Sequence, residues 1–81
     1  MSFTVYVLFA QQFNKHYVGF TSNLQPRLLS YNFFATKGFT TRYRPWKLIH
    51  TEESETKIDA LKKEKWLKTG VGRAFIKSLA H

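Results

Sequence analysis

Residues Phe3–Thr21 read FTVYVLFAQQFNKHYVGFT. Phe3–Phe9 is β-branched and aromatic with no breaker, which predicts a central strand. Lys15–Thr21 (KHYVGFT) predicts a second strand, and the short polar turn Ala10–Asn14 joins the two as an antiparallel hairpin. Pairing Phe9 with Asn14 sets Tyr6 directly opposite Tyr17, on one face with Thr4 and Gly19. Val5, Val7, His16 and Val18 then take the other face. Such an aromatic pair is, taken alone, ordinary sheet stabilisation. Gly19 beside it either leaves room for an approaching backbone or ligand or marks a strand end.

Working outward, Ser22–Asn23 offers capping side chains, and Pro26 is tolerated in a first helical turn. Leu24, Arg27, Leu28 and Tyr31 recur at helical spacing, so a helix is expected over about Leu24–Phe34. Ala35–Pro45 (ATKGFTTRYRP) has no periodicity and predicts a loop. Trp46–Glu52 (WKLIHTE) predicts a third strand. Thr56 with Asp59 resembles a capping box and opens a helix to about Thr69, where Gly70 serves as its stop. Val71–Ala80 predicts a last helix with Val71, Ala74, Phe75 and Leu79 on one face. The order β-β-α-β-α-α is an α+β fold: a small, three-stranded, largely antiparallel sheet flanked by helices. Residues 1–81 are expected to form one domain, since two would leave neither a sufficient core.

The chain is 43% hydrophobic, with eight Phe, four Tyr and two Trp, which excludes a disordered tail. It has no Cys, which excludes a disulfide framework and thiolate metal sites. His16, His50 and His81 are too far apart for a local metal motif. No apolar run approaches a membrane span and no secretory leader is visible, so a cytoplasmic protein without a membrane anchor is expected. Thirteen Lys and Arg against five acids give a net charge of +8. Residues 1–50 hold six of the cations and no acid. Such a field attracts polyanions, nucleic acid first and an anionic membrane surface second, if it is more than a solubility device. The segment Lys37–Lys47 (KGFTTRYRPWK) interleaves Lys37, Arg42, Arg44 and Lys47 with Phe39, Tyr43 and Trp46. Cations for phosphates and rings for stacking suit a nucleic-acid surface. The alternative is that the rings are core and the cations solvated.

Two charges stand apart from this background. Arg27 opens the first helix where a guanidinium can reach the hairpin surface and clamp a phosphate, or simply be solvated. Glu64 sits mid-helix beside the apolar stripe Ile58, Leu61 and Leu67. A carboxylate there must be paired, hydrogen-bonded or metal-bound, and an i,i+4 pair with Lys68 is the plain option.

In this order the pieces resemble the GIY-YIG nuclease family. Thr4-Val5-Tyr6 and Tyr17-Val18-Gly19 match its two named motifs, with Thr4 in place of the first Gly. Phe20–Leu28 (FTSNLQPRL) matches the helix with the family's Arg, at Arg27. Arg44–Glu52 (RPWKLIHTE) resembles the stretch around the third strand, and Glu55–Arg73 the helix bearing the family's Glu, at Glu64. The likeness runs from Phe3 to Lys77 and is greatest to short members made of the nuclease domain alone.

The resemblance implies roles. Tyr6 is the general base or activates a metal-bound water, Tyr17 positions nucleophile or phosphate, and Arg27 stabilises phosphate charge. Tyr31 stands where many members have His. Glu64 holds one divalent ion, Mg²⁺ or Mn²⁺, and Gly19 is part of the motif. The implied function is Mg²⁺-dependent endonucleolytic hydrolysis of DNA, duplex or branched, in repair or recombination, with a partner protein or homodimer supplying specificity. The alternative is a non-catalytic nucleic-acid-binding module on the same fold; a basic adaptor for an acidic protein or membrane is more remote. Glu64 favours the enzyme, because a pure binder has no evident use for it.

Overall fold

The computed structural model describes residues 2–29 and 43–79. The strands are β1 (Phe3–Ala10), β2 (Lys15–Thr21) and β3 (Lys47–Ser54), and the helices are α1 (Leu24–Leu29), α2 (Lys57–Leu67) and α3 (Gly70–Ser78). Together they make the expected α+β arrangement. The sheet order is β2-β1-β3 with both pairings antiparallel. β1 is therefore central, and Val5 through Ala10 are buried without a break. A strand covered on both faces reads as a continuous apolar run rather than as an alternation, which is how this one reads.

Each face has its own cluster. Val5, Val7 and Val18 pack with Ala60, Leu67 and Ile76 beneath α2 and α3, flanked by Phe3, Phe20, Ile49 and Phe75. Tyr6, Leu8, Ala10 and Trp46 pack on the other face with Tyr17, Leu24, Leu28 and Tyr43. Trp46 is thus core, 4% exposed, and precedes β3 instead of opening it. β3 bulges opposite Val7/Leu8, where its register shifts by one residue.

The expected hairpin register is corrected. Gln11–Phe13 forms a 3₁₀ turn and Asn14 takes the left-handed conformation (φ 53°), so β1 runs on to Ala10 and pairs with Lys15. Tyr6 consequently faces Gly19, and Tyr17 faces Leu8. The shift is two residues, so both tyrosines keep the same face but sit diagonally.

The helix boundaries also move. Thr56 caps α2, its hydroxyl accepting from the Asp59 N–H at 3.1 Å, as the capping pattern implies. α2 ends at Leu67, and Thr69 caps α3 by accepting from the Gly72 N–H at 3.2 Å. Gly70 therefore begins α3 and does not stop α2. The buried face of α3 carries Gly72 and Ile76, while Val71 is 68% exposed, one position away from the expected face. Likewise α2 buries Ala60 and Leu67 and leaves Ile58 67% exposed. The part of the first helix expected beyond Leu29 lies outside the described residues, as do Ala80 and the segment 30–42. Among the described residues no helix is long and apolar enough to cross a membrane.

Candidate active site

The residue that shapes the site is Gly19. A Cβ built there would lie 2.6 Å from the Tyr6 hydroxyl oxygen, 2.8 Å from Tyr6 Cζ and 3.3 Å from Tyr17 Cε2. The Tyr6 ring, 1% exposed, therefore crosses from the central strand over a position with no side chain. Its hydroxyl arrives over β2, the edge strand, where a longer residue at 19 would block it.

That edge opens into a cleft of about 610 Å³. Tyr6, Tyr17 and Gly19 line it from one face of the sheet, and Phe3 and Phe20 from the other. Thr21, Ser22 and Arg27 line it from the end of β2 and from α1, and Lys57 and Glu64 from α2. The site thus wraps the outer edge of β2. The site residues therefore do not converge on a single sheet face, because α2 packs on the face opposite Tyr6 and reaches the cleft around the edge. Thr21 orders the entry to α1: its hydroxyl accepts from the Asn23 N–H at 3.1 Å and donates to the Asn23 carbonyl at 3.3 Å.

Glu64 is on the core-facing side of α2, between Ala60 and Leu67 at i−4 and i+3. Its side chain is only 16% exposed, and Lys68 Nζ lies 3.5 Å from its Oε1. The i,i+4 pair is present, but Lys68 is 54% exposed and such a pair contributes only a few tenths of a kcal/mol. The pair accounts for Glu64's charge, not for its position in the cleft. Among the described residues no group of three His, Cys, Asp or Glu side chains could hold a metal. Any ion in the cleft would take one protein carboxylate.

Tyr6, Tyr17, Arg27, Glu64 and Gly19 are thus brought together. Arg44 and Lys47 are not. Lys47 lies at the hairpin end of the sheet, opposite Phe9, and lines a different groove with Gln11, Gln12 and Pro45. Tyr31, Lys37 and Arg42 lie outside the described residues. The cation missed from the sequence is Lys57, exposed on the first turn of α2. Its signal was present: Lys57, Ala60 and Glu64 follow i, i+3, i+7 spacing on one helix face.

Residues 2–74 match the family model of the GIY-YIG catalytic domain. The chain belongs to the GIY-YIG family. The GIY-YIG chain is 36% identical over 66 residues to a UPF0213 protein of Limosilactobacillus reuteri, covering 79% of this chain and 68% of that one. Its fold is similar to the solution NMR structure of a UPF0213 protein from Bacillus halodurans, with a TM-score of 0.57 and 21% identity. That match covers 96% of this chain and 84% of the other. A GIY-YIG catalytic domain is a nuclease-type domain, and the cleft at the β2 edge is where this one brings Tyr6, Tyr17, Arg27 and Glu64 together.

Proposed function

We propose that this GIY-YIG domain is an endonuclease that hydrolyses DNA phosphodiester bonds in the β2-edge cleft. One observation carries the reading: Tyr6, Tyr17, Arg27 and Glu64, from four separate elements, line a single cleft. Phosphodiester hydrolysis needs an activated water and a charge clamp on the transition state. Arg27 presents a planar, permanently charged fork suited to two phosphate oxygens. Tyr6 takes the proton of the attacking water as the water's oxygen bonds to phosphorus and the bond to the leaving oxygen breaks. A phenol, with an ordinary pKa of about 10, is a weak base at neutral pH. Arg27 and Lys57 are the cations that line the same cleft. Tyr17, diagonal to Tyr6, orients the water or the phosphate.

Glu64, the carboxylate that lines the cleft, would hold one hard divalent ion, Mg²⁺ or Mn²⁺, which would supply Lewis-acid stabilisation of phosphate charge.

The test is nicking of supercoiled, branched and single-stranded DNA with Mg²⁺ or Mn²⁺. Glu64→Ala should abolish cleavage while DNA binding is kept or improved, since one negative charge near phosphate is gone. Arg27→Ala should slow cleavage by about 10²–10³. Full cleavage by Glu64→Ala would remove Glu64 from the chemistry, and no cleavage of any substrate by the wild type would leave the binding-module reading in place of the nuclease.

A further inference from the structure

The cleft does not end at the catalytic side chains. Tyr17 also lines a second groove, about 240 Å³, with His16, Val18, Leu67, Lys68 and Arg73. His16, Arg73 and Ile76 in turn line a third, about 360 Å³, with Asn14, Lys15 and Lys77. The three are contiguous along the outer edge of β2, from Gly19 back to Lys15. Lys68, Arg73 and Lys77, from the end of α2 and from α3, stand along the edge.

No acid lines the second or third groove. Glu52 and Glu53 are instead on β3, the opposite edge of the sheet, where they meet Lys63, His50 and Thr4. Arg73 and Lys77 are exposed and have no ion pair among the described residues. Arg73 and Lys77 are therefore uncompensated, and with Lys68, which pairs with Glu64, they follow a line that begins at the candidate active site.

We propose that the β2 edge and α3 form a backbone-anchoring track for the DNA strand flanking the scissile phosphate, with Lys15, Arg73 and Lys77 as its phosphate contacts. This rests on the nuclease reading of the cleft. The length fits: the four steps of strand from Gly19 to Lys15 span about 14 Å. At about 3.4 Å per nucleotide of axial rise, that accommodates about four phosphates of one strand. Lys and Arg on phosphate position a nucleic acid without reading its sequence. The track gives the nuclease domain its register on DNA.

The test is binding of a fluorescein-labelled DNA duplex, followed by anisotropy at several salt concentrations in the full chain. Removing Arg73 and Lys77 together (Arg73→Gln/Lys77→Gln) should reduce the slope of log K against log[salt] by nearly 2, at about 0.9 per lost contact. Between about 50 and 200 mM salt, the wild type should then lose about tenfold more affinity than the variant. The charge-conserving exchange Arg73→Lys/Lys77→Arg should keep the wild-type slope, which separates lost charge from a damaged helix. An unchanged slope in the Gln variant, or a slope equally reduced in the charge-conserving exchange, overturns the track. Cleavage assays distinguish the two readings. A reduced slope with no cleavage of any substrate sinks the nuclease and leaves the track. Cleavage with an unchanged slope does the reverse.

Discussion

A methyl group at position 19 collides with the far end of Tyr6, and Tyr6 has nowhere to go. Its ring is 1% exposed and packed with Leu8, Ala10 and Trp46. Gly19→Ala should therefore cost about 1–3 kcal/mol as an overpacked core position. It should also shift the hydroxyl enough to slow cleavage by about 10², the size of effect expected for a misplacement of about 1 Å. The informative variant is the double one. If Gly19 acts through the Tyr6 hydroxyl, Gly19→Ala should slow Tyr6→Phe no further, and cleavage rates for the four proteins of the cycle measure this. An additive loss would detach Gly19 from the chemistry. By type and place alone, Tyr6 and Tyr17 read as an ordinary cross-strand pair, Arg27 as a surface cation and Glu64 as half of an ion pair; the family resemblance singles out the four, which line one cleft. What was not legible was who faces whom. Tyr6 lies over Gly19, not Tyr17, because the loop, of the same four-residue length, starts one position later, as a 3₁₀ turn over Gln11–Phe13 ending in left-handed Asn14.

Among the elements, the strands were the easiest to read, since β1 is a long, unbroken apolar run and β2 follows it closely. Helix faces were harder. On α2 the sequence carries apolar residues at Ile58 and Leu61, yet Ala60, Glu64 and Leu67 turn inward. The packing partner is the narrow β1–β2 surface, which takes a small residue more readily than an isoleucine. The α2–α3 corner shows the same limit. Gly70 resembles a helix stop, but the close approach belongs to Gly72. A Cβ at 72 would run into the Trp66 carbonyl oxygen and come within 2.5 Å of Leu67 Cα and 2.6 Å of Leu67 C. Backbone cannot yield as a flexible side chain does. Gly72→Ala should destabilise by about 2 kcal/mol or more, which for a chain of this size lowers Tm by about 8 °C or more. Gly70 has nothing within 4 Å of a Cβ, so Gly70→Ala should be neutral or stabilising, by up to about 1 kcal/mol from helix propensity. Thermal unfolding of both variants checks the pair. Equal Tm values would show that the corner is not closely packed at 72.

At the scale of the whole molecule, the two sheet edges differ in charge among the described residues. The β2 edge is open to a polyanion, whereas the β3 edge is internally compensated. Glu52 lies 3.0 Å from His50 and 3.2 Å from Lys63, so it ties β3 to α2, the helix that also carries Glu64. Partial burial pushes the Glu52 carboxyl up, but hydrogen bonds from His50 and Lys63, with their charges, outweigh it and hold the group below its ordinary 4.5. A carboxyl held low in the folded state binds fewer protons than in the unfolded chain. Its stabilisation is then complete above the ordinary value and is lost as pH falls through the folded one. Both partners are about one-third exposed, so the tie is worth at most about 1 kcal/mol. Glu52→Gln should accordingly be less stable than wild type at about pH 6, by a few tenths to about 1 kcal/mol. The difference should close as pH falls through the folded-state value, where the wild-type carboxyl becomes protonated and resembles the amide. Urea unfolding of the two proteins across that range measures it. A gap that persisted or widened at low pH would mean that the β3 edge is held by shape rather than by charge.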